Sequence, residues 1–380
     1  MFESISEILT SFPHYVLAAL LVFTPIVFIH ELGHFLVARW CGIRIDTFSI
    51  GFGRELFGFN DRHGTRWQIS AIPLGGYVKF TGDENAASVP DQEALDAIPE
   101  QERAGLFYFS ALWKRAAVVA AGPIANFLLA IVILASLFLT LGRPELEPRV
   151  NKVLPGMAAE RAGIQPGDLI VEINGRKIET FTDVRRVVAL STGDQLNIIV
   201  ERNGEQVALQ AVPTREETPD GLGGTQRTGM LGIQGGGPGS KYVFREFTVG
   251  EALVEAVDET GSIIEGTLVY IGRIFTGREN ADQLSGPIGI AKMSGDVAEK
   301  GGGISLLNLA AILSVSIGLL NLFPIPMLDG GHLMFYAYEA VAGRPLDARA
   351  QDISFRFGFA IVILLFLFVT FNDIVRLTGT

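Results

Sequence analysis

The chain has 380 residues, of which 48% are hydrophobic and only 19% charged, and its formal net charge is −11. A soluble domain carries roughly 25% charged residues; here the deficit is concentrated in a few long apolar runs, the mark of a membrane protein. An acidic balance with no basic face excludes nucleic acid as the main partner, and the single cysteine, Cys41, excludes an intramolecular disulfide and a cysteine-based metal site.

The first apolar run covers residues 15–37, inside a first segment drawn at 1–41. No Lys or Arg precedes it, it is too long for a secretion signal, and it contains ionisable groups, so it reads as a retained span. Those groups are His30-Glu31-Leu32-Gly33-His34. Histidines at i and i+4 leave one helix face together and can hold one metal ion. The glutamate between them can act as general base toward an attacking water. The alternative is an ordinary helix with polar residues on an exposed face. Placement in an apolar run argues against it, because ionisable groups there are costly and usually functional.

Residues 42–104 are polar. The stretch 66–80, RWQISAIPLGGYVKF, alternates, and Gly75-Gly76 suggests the corner of a hairpin. Residues 83–103 read as an acidic surface linker, and 105–113, rich in aromatics, as an interfacial stretch. The second span lies at 116–141, in a segment drawn at 105–142. Its small residues from Gly122-Pro123 to Ala130 suggest a helix-packing face.

Residues 148–240 read as one α/β domain with a Gly-rich, flexible tail from 214 onward. Asn174-Gly175 and Asn203-Gly204 are hairpin turns, and an amphipathic helix near 181–191 begins at Thr182 or Asp183 as its cap. In the segment 241–303, the amphipathic stretch from Val249 to Phe275 carries Glu255, Asp258, Glu259, Glu265 and Arg273, which fits a surface or interfacial helix better than a further span.

The third span is drawn at 304–331 and ends Asn321-Leu-Phe-Pro324-Ile-Pro326-Met-Leu-Asp329-Gly330-Gly331-His332. Two prolines break the helix, and irregular backbone at that depth is tolerated only against protein or a wet cavity. A zinc site of this type takes a third ligand, often a carboxylate, and Asp329 is the candidate; the alternative is a turn residue before Gly-Gly. At 1.5 Å per residue, His30 lies roughly 22 Å into its span and Asn321 roughly 25 Å into its own. The fourth span is drawn at 355–377. Arg39, Arg44, Lys114, Arg115, Arg344, Arg349 and Arg356 flank the spans on one side. By the positive-inside rule that side is cytoplasmic, leaving the N-terminus, the long middle segment and the C-terminus outside. His14 reads as interfacial, His63 as solvated, and His332 as supporting the site or starting a helix, without binding metal.

HELGH, NLFPIPMLDGGH, AGPIANF, IPLGGYVKF and SGPIGIAKMSG together resemble the site-2 protease family of intramembrane zinc metalloproteases, most closely the bacterial regulator of sigma-E protease group. The resemblance covers nearly the whole chain. It implies a polytopic α-helical membrane protein with four transmembrane helices, a membrane-associated β-hairpin and one extracytoplasmic PDZ-like α/β domain. It implies that His30, His34 and Asp329 bind zinc, that Glu31 activates water, and that Asn321 holds the substrate or the oxyanion. The hairpin, at Gly75, Gly76 and Tyr77, would pair with an extended substrate, and residues 230–233 would supply the peptide-binding strand of the PDZ-like domain. Better-known members carry two such domains, and this chain shows one. Expected partners are the lipid bilayer and single-pass membrane proteins, an anti-sigma factor foremost and remnant signal peptides second. The expected location is the bacterial inner membrane, with the PDZ-like domain in the periplasm and the active site near the cytoplasmic side. Two other functions compete: a membrane metal-ion transporter, which would not need Glu31 as a base, and a non-catalytic PDZ scaffold, which would not need the histidines.

Overall fold

The computed structural model describes residues 2–82, 98–100, 103–191, 194–219, 225–237, 240–277, 281 and 284–378. Most of the acidic linker expected at 83–103 lies outside the described residues. Four helices among those described are long and apolar enough to cross a membrane: Pro13–Trp40 within α1 (Phe2–Trp40), α2 (Leu112–Leu141), α6 (Pro287–Asn321) and Arg349–Arg376 within α8 (Ala348–Thr378). Leu364, Leu367 and Phe371 of α8 stay exposed in the protein, as side chains facing lipid would.

Residues 1–136 and 253–380 form one compact unit. After α1 the chain enters β1 (Ile45–Asn60) and β2 (Arg66–Phe80), and here the structure differs from the sequence reading. Gly75-Gly76 is not a hairpin corner. It lies within β2, and the turn is at 61–65, between β2 and a partner strand that the sequence did not reveal. Both strands bend. Thr47–Ile50 pair with Gly76–Lys79 and also with Arg66–Ile69, while Phe57–Asn60 pair with Arg66–Ile69. The bend in β1 falls where Gly51 and Gly53 adopt φ of 89° and 88°, a region open to glycine but strained for other residues. The Asp61 carboxylate closes the turn by accepting the His63 amide at 2.8 Å and the Thr65 amide at 3.0 Å. It also accepts Arg39 Nη2 at 2.6 Å, which ties the turn to the end of α1. Beneath the sheet, Phe48 is fully buried edge-on to Phe28 and Phe35. Phe107, from the stretch expected at the interface, is buried and stacked on Phe80.

The third apolar helix starts earlier than drawn. α6 begins at Pro287 and bends at Gly302 (φ 62°), so residue 304 marks the apolar half beyond the bend. It stops at Asn321, where Pro324 and Pro326 cannot donate the next helical hydrogen bonds. A separate helix, α7 (Asp329–Ala342), follows and ends on left-handed Gly343. Glu339 of α7 is paired at 2.6 Å with Arg115 of α2. The amphipathic stretch forms a helix, α5 (Val249–Phe275).

Residues 137–252 form the second unit. β3 (Arg143–Leu146), β4 (Lys152–Val153) and the short α3 (Ala158–Arg161) lead into β5 (Leu169–Ile173), β6 (Arg176–Lys177), α4 (Phe181–Leu190), β7 (Leu196–Arg202) and β8 (Glu205–Ala211). One antiparallel sheet runs β6-β5-β7-β8. Ile170, Ile173, Leu196, Ile198 and Val200 bury against Val184 and Val188 of α4. The α4 cap is Thr180, earlier than expected. Its side chain accepts the Asp183 amide, and the Asp183 carboxylate accepts the Thr180 amide in return. The segment read as a flexible tail instead forms β9 (Thr214–Pro219) paired with β10 (Thr225–Met230), and β11 (Ile233–Gln234) paired with β4; β12 (Tyr242–Arg245) closes on β3. Asp168, buried just before β5, takes two hydrogen bonds from Arg202, at 2.8 and 2.7 Å.

Candidate metal centre

The helical spacing of α1 turns His30 and His34 to one side, with their Nε2 atoms 3.2 Å apart. His34 Nδ1 donates to the Val118 carbonyl of α2 at 2.8 Å. That hydrogen bond places the proton on Nδ1 and leaves a lone pair on Nε2. Two glycines let α1 and α2 come this close. A Cβ at Gly33, inside the HELGH motif, would lie 2.8 Å from Ala125 Cβ and closer still to the Ala121 carbonyl. A Cβ at Gly122 would collide with the His34 ring and lie 2.9 Å from His30 Cε1. The packing face read from the sequence is therefore also a wall of the site.

Asp329 arrives from the other side, as the first residue of α7. Its Oδ2 is 3.2 Å from His30 Nε2 and its Oδ1 is 3.6 Å from His34 Nε2. The loop before it is tightly wound. Met327 has φ 89°, strained for a side-chain-bearing residue, and Gly330 is pressed against the Leu322 and Phe323 carbonyls, where no Cβ would fit.

These three residues are the one group of metal-ligand type among the described residues, with donor atoms within 4.8 Å of one another. The donor set fits zinc on two observations. Buried Asp329 Oδ2 has no well-formed hydrogen bond although His30 Nε2 is close, so lone pairs face one another across the gap. The 3.2 Å between the two Nε2 atoms and the 3.2 Å from His30 Nε2 to Asp329 Oδ2 also lie close to a tetrahedral edge, which is roughly 3.3–3.4 Å for bonds of about 2.0–2.1 Å.

Glu31 lines the same cavity, about 240 Å³ in volume, together with Tyr77, Asn321 and Met327. The Val78 backbone amide donates to its carboxylate. Gly76 makes this approach possible, because a Cβ there would lie 3.2 Å from Glu31 Cγ and 2.8 Å from the Ser49 carbonyl. Gly76–Lys79 pair with Thr47–Ile50 along one edge, and Gly76, Tyr77 and Val78 border the cavity. Gly75, at φ 113°, instead packs against Phe52 outside the cavity lining. His332 also borders the cavity, with its ring 5.5 Å from that of Phe355, and it stands outside the ligand group. His14 is 3.3 Å from the Gly295 carbonyl, and His63 is exposed. One neighbour of the metal group went unrecognised in the sequence. Asn126 of α2 is fully buried, with Nδ2 3.2 Å from His30 Nδ1.

The sequence model of peptidase family M50 matches residues 18–365. A protein of Agrobacterium fabrum, named as a candidate zinc metalloprotease, is 52% identical over 366 residues, covering 96% of this chain and 97% of its own. A similarly named protein of Rhizobium meliloti is 52% identical over 360 residues, covering 95% and 96%. Metalloprotease MmpA of Caulobacter vibrioides is 42% identical over 378 residues, covering 94% of each.

Proposed function

We propose a substrate and a setting for this chain, starting from the premise that it belongs to peptidase family M50 and is a zinc metalloprotease. It hydrolyses peptide bonds of single-pass membrane proteins within or at the edge of the bilayer. The observation that carries this reading is the convergence of His30, His34, Asp329 and Glu31 on one cavity between helices apolar enough to span. Glu31 beside the metal group also favours hydrolysis over ion passage, which has no need of a base.

His30, His34 and Asp329 hold the zinc. When bound, zinc polarises the scissile carbonyl and lowers the pKa of water. Glu31 takes a proton from the attacking water and delivers it to the leaving amine. Asn321, on the cavity wall, hydrogen-bonds the substrate backbone or its oxyanion. A helical substrate shields its own peptide bonds and must unwind first. The Gly76–Lys79 strand, which contains Glu31's amide donor Val78, offers the unwound segment a strand to pair with.

Basic residues beside the spans support a cytoplasmic-side active site in a bacterial inner membrane, with residues 137–252 in the periplasm. That unit, with α4 beside its sheet, is PDZ-like in this reading and screens the tails of substrates already shortened outside. An anti-sigma factor is the leading substrate, and remnant signal peptides are the second. The test is proteolysis in liposomes of a single-span substrate with a short outer tail, with the products read by mass spectrometry. A zinc-dependent cut inside or at the cytoplasmic edge of the apolar stretch is expected. A cut only in the soluble tail would refute the reading.

A further inference from the structure

We propose that Asn126 is a positioning residue of the metal centre: its amide oxygen accepts the Nδ1 proton of His30 and so aims His30 Nε2 at the metal. The inference rests on the ligand set assigned above. His30 Nε2 faces His34 Nε2 and Asp329, so a ligating His30 must keep its lone pair there and carry its proton on Nδ1. That N–H is buried, with His30 9% exposed, and a buried donor needs an acceptor. Asn126 is 3.2 Å away and fully buried. As placed, it presents its NH₂ to Nδ1, while its Oδ1 has no partner. Turning the amide by half a rotation exchanges two atoms of nearly equal size and gives Oδ1 the donor it lacks.

The surroundings hold Asn126 in place for this role. Ser314 of α6 donates to its backbone carbonyl at 2.8 Å, and a Cβ at Gly318 would lie 3.2 Å from Asn126 Cβ. Both histidines are thus oriented by α2. His34 is aimed through the Val118 carbonyl, and His30 through a side chain that mutation can change. Partners of this kind affect metal affinity by about 10–100-fold.

The experiment measures zinc affinity of the purified full-length chain by competition with a chromophoric chelator. Wild type is compared with Asn126→Leu, which removes the acceptor at similar size, and with Asn126→Asp, which keeps it. Asn126→Leu is expected to bind zinc about 10–100-fold more weakly, and Asn126→Asp to stay within about threefold of wild type. Wild-type affinity in Asn126→Leu overturns the proposal. So does an equal loss in both variants when their metal-free melting matches wild type. If Asn126→Leu does not fold, ¹⁵N spectra of the imidazoles in zinc-loaded wild type decide. Protons on Nδ1 of both ligands are expected, and an Nε2-protonated ligand overturns the assignment. A wild-type chain that binds no zinc would reject the ligand set itself, a different failure from unchanged affinity in the variants.

Discussion

Gly122→Ala tests whether helix packing builds the metal centre. The added methyl would lie 2.6 Å from His34 Cε1 and 2.9 Å from His30 Cε1, where ordinary contact begins at 3.4 Å. Either the rings or the helices must give by roughly 1 Å, whereas metal–ligand distances tolerate about ±0.2 Å. Gly33 allows the helices no compensating slide, because it already touches Ala121 and Ala125. Overpacking of this kind costs about 1–3 kcal/mol. Taken from metal binding, that is a loss of about 5- to 150-fold in zinc affinity. The assay is chelator competition on protein purified in detergent, with Gly266→Ala as the control, since nothing lies within 4 Å of a Cβ there. Wild-type affinity in Gly122→Ala, with the control also unchanged, would refute the packing argument.

Three further outcomes are expected. Gly330→Ala forces the start of α7 away from the Leu322 and Phe323 carbonyls and carries Asp329 with it; zinc affinity, read the same way, should fall by at least about tenfold. Asp61→Asn weakens an acceptor shared by Arg39, His63, Thr65 and Trp67; amide exchange across 61–66 should speed up by about tenfold or more with zinc content unchanged. Burial pushes the Asp168 carboxyl up, but the Arg202 guanidinium and the Gln165 amide outweigh it and hold it below the usual aspartate value of 3.8. A lowered folded-state pKa gives stability that is full above that value and is lost as pH falls through the lower one. Exchange protection of β7 should therefore fall in acid for wild type, and Asp168→Asn should lower it at neutral pH by about 2–3 kcal/mol, short of a fully buried pair because Arg202 is partly exposed.

The chemical residues stand out in the sequence because their cost is local. His30, Glu31 and His34 are ionisable in an apolar run, and Asp329 follows a helix broken by two prolines. The strand content was hidden for the opposite reason. Gly51, Gly53 and Gly58 interrupt the alternation of β1, so a bent strand does not read as one. Gly76 looks like a turn residue, but it is small because Glu31 and the Ser49 carbonyl crowd it. Thr182 is a plausible cap until the reciprocal bonds between Thr180 and Asp183 are seen. Asn126 carries no local signal, since its importance arises only where α2 crosses α1.

The most direct test of the central claim is Glu31→Gln, with zinc content and cleavage measured on the same preparation. The variant should bind zinc as wild type does, because Glu31 lies outside the ligand group, and cleave a single-span substrate about 10²–10⁴-fold more slowly. Zinc bound and cleavage undiminished would contradict the account.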